Sequence, residues 1–179
     1  MRFSQAISEG DGISLIVDVE DADAARAAAV QGAEGMIVRR GLGEAVDLPV
    51  LWRGSPRAVD AAGAGADAWV TSLEDAENGG EDHELDRVIE VRSAEELEHA
   101  LERLDPEIFL FSVGDDADAD ALERALELLA DLPAGKLAIA DVPVSGRDQV
   151  DELERAGVDA VIVGARNVAG LVGDAVPEV

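Results

Sequence analysis

Short, unbroken apolar runs alternate along the chain with segments whose apolar residues recur at helical spacing. The runs fall at 13–19, 35–39, 48–52, 67–71, 87–91, 108–112, 136–141 and 159–163, and their lack of polar alternation predicts strands buried on both faces. Between them, Leu97, Ala100, Leu101 and Leu104 form one helical stripe behind the capping box Ser93-Ala94-Glu95-Glu96. Leu122, Ala125, Leu126 and Leu129 form a second stripe, and Val150, Leu153 and Ala156 a third, opened by Ser145 with Asp148.

One phrase recurs at Gly32-Ala33-Glu34-Gly35-Met36-Ile37-Val38, Gly65-Ala66-Asp67-Ala68-Trp69-Val70-Thr71 and Gly157-Val158-Asp159-Ala160-Val161-Ile162-Val163. It reads as a glycine helix cap followed by a buried strand, at spacings close to multiples of one βα unit. Eight such units without a hairpin signal predict an α/β fold closed into a (β/α)8 TIM barrel, one domain over residues 1–179. Residues 40–47 are too few for a helical crossover, and 72–86 are acidic and poorly periodic, so helices two and four should be reduced. The chain is compact for this fold, which usually takes about 250 residues.

Composition narrows the partners. Aromatics make up only 3% of the chain, so the core must be aliphatic, and a net charge of −26 disfavours nucleic acid and anionic membranes. The acidic surface, with Lys136 the sole lysine, resembles proteins of salt-loving organisms; an ordinary high-GC genome is the other reading. The absence of cysteine removes disulfides and thiolate metal sites. No segment is apolar enough to span a membrane and residues 1–10 carry no secretion signal, so the expected setting is cytoplasmic.

In a parallel barrel, chemistry stands at the carboxyl ends of the strands. This gives Asp18, Arg39, Arg53, Ser72, Glu90, Arg92, Ser112, Asp141 and Gly164 as candidates. Arg39, Arg53 and Arg92 would form a positive mouth for a phosphate or carboxylate, or else pair with neighbouring acids. Gly164-Ala165-Arg166 resembles the phosphate-holding turn after a last strand, and Asp18, Glu90 and Asp141 could act as acid, base or electrostatic partners. Asp116, Asp118 and Asp120 imitate calcium-loop spacing, but Ala121 replaces the required glycine, so an acidic helix start is expected. His83 and His99 have no ligand spacing, and neither a metal nor a cofactor is expected. Phosphate-loop, nucleophile-elbow and dinucleotide fingerprints are missing.

Several of these segments resemble the indole-3-glycerol phosphate synthase family: Ile13-Ser14-Leu15-Ile16-Val17-Asp18-Val19-Glu20, Asp47-Leu48-Pro49-Val50-Leu51-Trp52-Arg53, Val88-Ile89-Glu90-Val91, Ala138-Ile139-Ala140-Asp141 and Ala156 to Gly164. That resemblance implies a (β/α)8 barrel of tryptophan biosynthesis and, if active, a carbon-carbon lyase acting on a phosphorylated ribulose-type substrate. It implies Arg53, Glu90, Asp18 and Asp141 in the catalytic positions and Arg39, Arg92 and Ser112 against the substrate, with Gly164, Ala165 and Arg166 at the phosphate. The family's lysines do not carry over: one falls near Glu20 and another on Arg53, which donates protons poorly. Pro143 also lacks an N–H for phosphate. The rival expectations are a non-catalytic anion-binding barrel and a structural subunit, self-associated or covered by a partner chain where helices are reduced.

Overall fold

The computed structural model describes residues 2–8, 12–43, 46–78, 84–113, 120–166 and 168–172. Eight parallel strands close in sequence order: β1 (Ser14–Asp18), β2 (Gly35–Val38), β3 (Val50–Trp52), β4 (Ala68–Ser72), β5 (Asp86–Val91), β6 (Ile108–Ser112), β7 (Leu137–Asp141) and β8 (Ala160–Gly164). β8 returns to β1 over the register Ser14↔Ala160 to Asp18↔Gly164. The chain is therefore a (β/α)8 barrel, with each strand within two residues of the run that predicts it.

Helix α1 (Phe3–Ser8) precedes β1, and α2 (Ala22–Val30) joins β1 to β2. Beyond β3 come α3 (Ala58–Gly63), α4 (Leu73–Asn78), α5 (Ala94–Arg103), α6 (Ala121–Ala130), α7 (Arg147–Ala156) and α8 (Val168–Leu171). No helix joins β2 to β3 among the described residues, and α4 has six residues, so the helices after strands two and four are reduced as expected. Ser93 caps α5 as the capping box predicts, accepting from the Glu96 N–H. α7 differs in detail: Gly146 is its N-cap, and Ser145 pairs with Gln149 rather than Asp148. On α6 the deepest residues are Ala121, Ala125 and Leu128, with Leu122, Leu126 and Leu129 only partly covered. The small alanines let this helix lie close to the sheet. Ala156, at the end of α7, is exposed.

The recurring phrase has a structural meaning at both of its ends. Gly32, Gly65 and Gly157 take positive φ (102°, 74° and 98°), the left-handed turn that ends a helix before the next strand. In the second and third copies the acidic residue reaches sideways. Asp67 accepts from the Val50 N–H of β3 (2.8 Å), and Asp159 from the Ala138 N–H of β7 (2.7 Å). Each clip satisfies a strand-edge donor at the amino end of the barrel. Burial pushes the Asp159 carboxyl up, and the Ala138 N–H offsets part of that push.

Strand parity divides the core in two. Outward-facing residues pack under the helices, while Ile16, Ile37, Leu51, Val70, Val88, Leu110, Ile139 and Ile162 fill the lumen, one from each strand. Phe3 and Ile7 of α1 join the lumen cluster and stopper its amino end, where the Asp86 carboxylate accepts from the Ser4 N–H (2.8 Å). Aliphatic packing of this kind fills the barrel rather than leaving a pore.

Candidate functional site at the carboxyl ends of the strands

Advancing two residues from each lumen aliphatic reaches the next inward position on every strand. Those eight residues are Asp18, Arg39, Arg53, Ser72, Glu90, Ser112, Asp141 and Gly164. The strand-end candidates are thus an inward layer directly above an apolar one, with Arg92 joining from beyond β5.

Arg53 is the centre of this layer. Its Nη1 donates to Asp141 Oδ2 (2.5 Å), while its Nη2 donates to Glu90 Oε1 (2.5 Å) and Ser112 Oγ (3.1 Å). One guanidinium from the end of β3 therefore ties together β5, β6 and β7, using its planar fork as a bridge between two carboxylates. Gly54 allows this exit from β3, because a Cβ there would collide with the Trp52 ring and the Arg39 carbonyl. Arg92 adds a second cation on Glu90, Nη2 to Oε2 at 3.1 Å.

Burial would lower the ionisation of Arg53, but the hydrogen bond and charge of Asp141, then those of Glu90, outweigh it and hold the guanidinium above its ordinary value. Burial likewise favours neutral Glu90. The Ser112 hydroxyl and the charges of Arg53 and Arg92 reverse that and hold its carboxyl below the ordinary range. Ser112 Oγ also lies 3.5 Å from Asp141 Oδ2, which places the hydroxyl between the two carboxylates. Glu90 is an anion at neutral pH, fit to stabilise a cation, a weaker base than an ordinary carboxylate and unfit to donate a proton.

The remaining candidates stand apart from this net. Asp18 and Arg39 form their own pair, with Arg39 Nη1 on both carboxylate oxygens at 2.7 and 2.8 Å. Ser72 accepts from the Asp75 N–H at the start of α4 and donates to the Asp75 carboxylate. Gly164 is exposed with nothing within 4 Å of a Cβ built on it, Ala165 is half-buried and Arg166 is exposed. The gap at β8 thus opens the layer between Asp141 and Asp18.

Of the two readings of the arginines, pairing is what the structure contains: Arg39, Arg53 and Arg92 each meet a carboxylate. The mouth is charge-balanced rather than positive. Elsewhere, Lys136 binds Asp105 at the amino end of the barrel (2.6 Å). His99 meets Glu77 at 3.2 Å, and among the described residues no group of acids and histidines could hold a metal. His83, Asp116 and Asp118 lie outside the described residues; Asp120 is the N-cap of α6. No helix among the described residues is long and apolar enough to cross a membrane.

Fold and site together define a compact (β/α)8 barrel with an ion-paired mouth at the carboxyl ends of its strands. Solved structures similar to it include two of mandelate oxidase. One is a tyrosine-to-phenylalanine variant with 4-Br-2-hydroxy-methylphenylacetate, with TM-score 0.60 at 16% identity, covering 89% of this chain and 68% of that one. The other is a mandelate oxidase mutant with the monooxide FMN adduct, with TM-score 0.64 at 16% identity, covering 87% and 65%. The chain spans about two thirds of their length. No family model matches the chain, and no curated protein matches it.

These findings correct the family expectation. Indole-3-glycerol phosphate synthase, tryptophan biosynthesis and the lyase activity implied with them are not supported; the similar structures are oxidases, and at this identity they establish the barrel alone. The misleading signal was physical: a glycine helix cap, an acidic residue and an apolar run suit the αβ junction of a parallel barrel, so the phrase marks the fold and not a chemistry.

Proposed function

We propose that this barrel binds a small phosphorylated molecule at its carboxyl-end mouth. Gly164, Ala165 and Arg166 face the phosphate. Arg53 meets the phosphate from the opposite side, at the position Asp141 holds without ligand, while Glu90 and Asp18 face the polar body, with Arg39, Arg92 and Ser112 as further contacts. The observation that carries this reading is the Arg53 net. It draws charged groups from three strands into a partly desolvated cluster, at a solvation cost that burying aliphatic side chains would avoid. The opening at Gly164 supports entry beside that net. A formal charge of −26 supports a small ligand over nucleic acid or an anionic membrane, and we place the protein in the cytoplasm, where phosphorylated metabolites are held. The hydroxy acid and the flavin of the similar structures stay with those proteins.

Thermal unfolding in concentrated potassium chloride, with glycerol 3-phosphate against glycerol, tests the reading. Stabilisation by the phosphate alone is expected, about 2.7 kcal/mol at a hundredfold excess over Kd. Equal curves for the two compounds would remove phosphate from the proposal.

A second reading, a subunit completed by another chain, is favoured by one observation. A cavity of about 590 Å³ lies against β2 and β3, between which the described residues hold no helix, and is lined by Met36, Val38, Leu42, Val46, Val50 and Ala64 among others. Light scattering across protein concentrations is the check: a mass above that of one 18.6 kDa chain is expected on this reading, and a strict monomer dismisses self-association.

A further inference from the structure

The two carboxylates on Arg53 are not equivalent. Glu90 is 12% exposed and held by Arg53 and Arg92 together. Asp141 is 31% exposed, and among the described residues its only charged partner is Arg53, which it meets through Oδ2 alone. It also stands on β7 beside β8, whose inward strand-end residue is Gly164 and leaves open space. Glu90 is therefore built in, while Asp141 sits at the accessible end of the same guanidinium.

We propose that Asp141 is a placeholder: in the ligand-free barrel its carboxylate occupies the position on Arg53 that a ligand's anionic group takes. This inference rests on the binding reading above and adds how the site is regulated and what it selects. The ligand's anion arrives past Gly164, takes the Nη1 edge of Arg53, and releases Asp141 toward solvent. No covalent bond changes and no proton needs to move. The chemistry selected is a compact oxyanion, phosphate or carboxylate, that can match a guanidinium edge. A resident carboxylate also sets a threshold. A weakly held anion such as chloride has no carboxylate oxygen to replace Oδ2 on Nη1, so displacing Asp141 takes a stronger oxyanion.

The test uses inorganic phosphate and acetate as probes, with wild type and Asp141→Asn titrated at one fixed potassium chloride concentration and binding read by calorimetry. Asn keeps the size and a hydrogen-bond acceptor but removes the competing charge. Asp141→Asn is expected to bind the preferred probe about 10-fold or more tightly than wild type, and the better probe identifies the anion as phosphate or carboxylate. Asp141→Ser is a second route to the same vacancy, and melting curves establish that each variant is folded. Binding by wild type that is unchanged or weakened in both variants overturns the placeholder role while leaving the binding reading intact. No binding of either probe by any of the proteins overturns both.

Discussion

Arg53→Met is expected to lower stability by about 2–3 kcal/mol at neutral pH, the lower part of the range for breaking a buried ion pair, because the mouth is partly open to solvent. Methionine retains much of the length and apolar stem of arginine. What is lost is the charge between Glu90 and Asp141, which would then face each other across the mouth without a cation between them. The effect carries a pH signature. The folded-state pKa of Glu90 is lowered, so its contribution is fully present above its ordinary value of 4.5 and disappears as pH falls through the lowered folded value. The gap between wild type and Arg53→Met should therefore be wide at neutral pH and close in strong acid. Urea unfolding of both proteins at the two extremes decides it. A gap of the same size at both would show that Arg53 acts through packing and not through charge.

Phe3→Ala should have the larger effect on stability, about 3–5 kcal/mol, or roughly 10 °C in Tm for a domain of this size. Phe3 is fully buried and belongs to the lumen cluster rather than to the layer under the helices. Four of the eight inward positions at the floor of the lumen are small, Ser14, Gly35, Ala68 and Ala160, and the α1 side chains pack into the same cluster. Truncation would open a cavity that rigid strands cannot close. Val30→Ser serves as the control, because Val30 is 90% exposed and its replacement should change stability by about 0.5 kcal/mol at most. Equal melting temperatures for wild type and Phe3→Ala would mean that α1 is not a stopper.

The strands were readable because parallel strands covered on both faces leave unbroken aliphatic runs, and the ends of those runs are set by Gly, Asp and Pro. That the described residues between β2 and β3 hold no helix was readable from length alone. The strand-end residues were readable too, since their position follows from the strand boundaries and the two-residue period. What the pattern could not supply was pairing across the lumen. Arg53 is 37 residues from Glu90 and 88 from Asp141, and nothing local distinguishes those carboxylates from the other acids of so acidic a chain. The stopper helix was missed for another reason. Phe3 and Ile7 stand at i and i+4, a usable sign of one buried helical face, but six residues are too few for a periodicity to stand out. The family resemblance failed where similarity reflected a shared fold requirement. Glu20 and Arg53 standing where that family has lysines were the residues that already spoke against it.

The last strand has an unequal attachment. β8 matches β1 at five positions, Ser14↔Ala160 through Asp18↔Gly164, but β7 at only two, Ile139↔Ala160 and Ala140↔Val161. In folding terms β8 is a clasp rather than the seventh strand's successor: most of its ladder exists only once two distant parts of the sequence have met. The entropy of closing so long a loop grows slowly, by about 0.6 kcal/mol per doubling, so the closure is thermodynamically mild, yet it is a late, long-range event. Transient opening of the native barrel is expected where the ladders are shortest, at β3–β4 and at the β7–β8 seam, with β8 leaving or staying in company with β1. The placeholder carboxylate on β7 and the glycine gap on β8 stand on opposite sides of that seam.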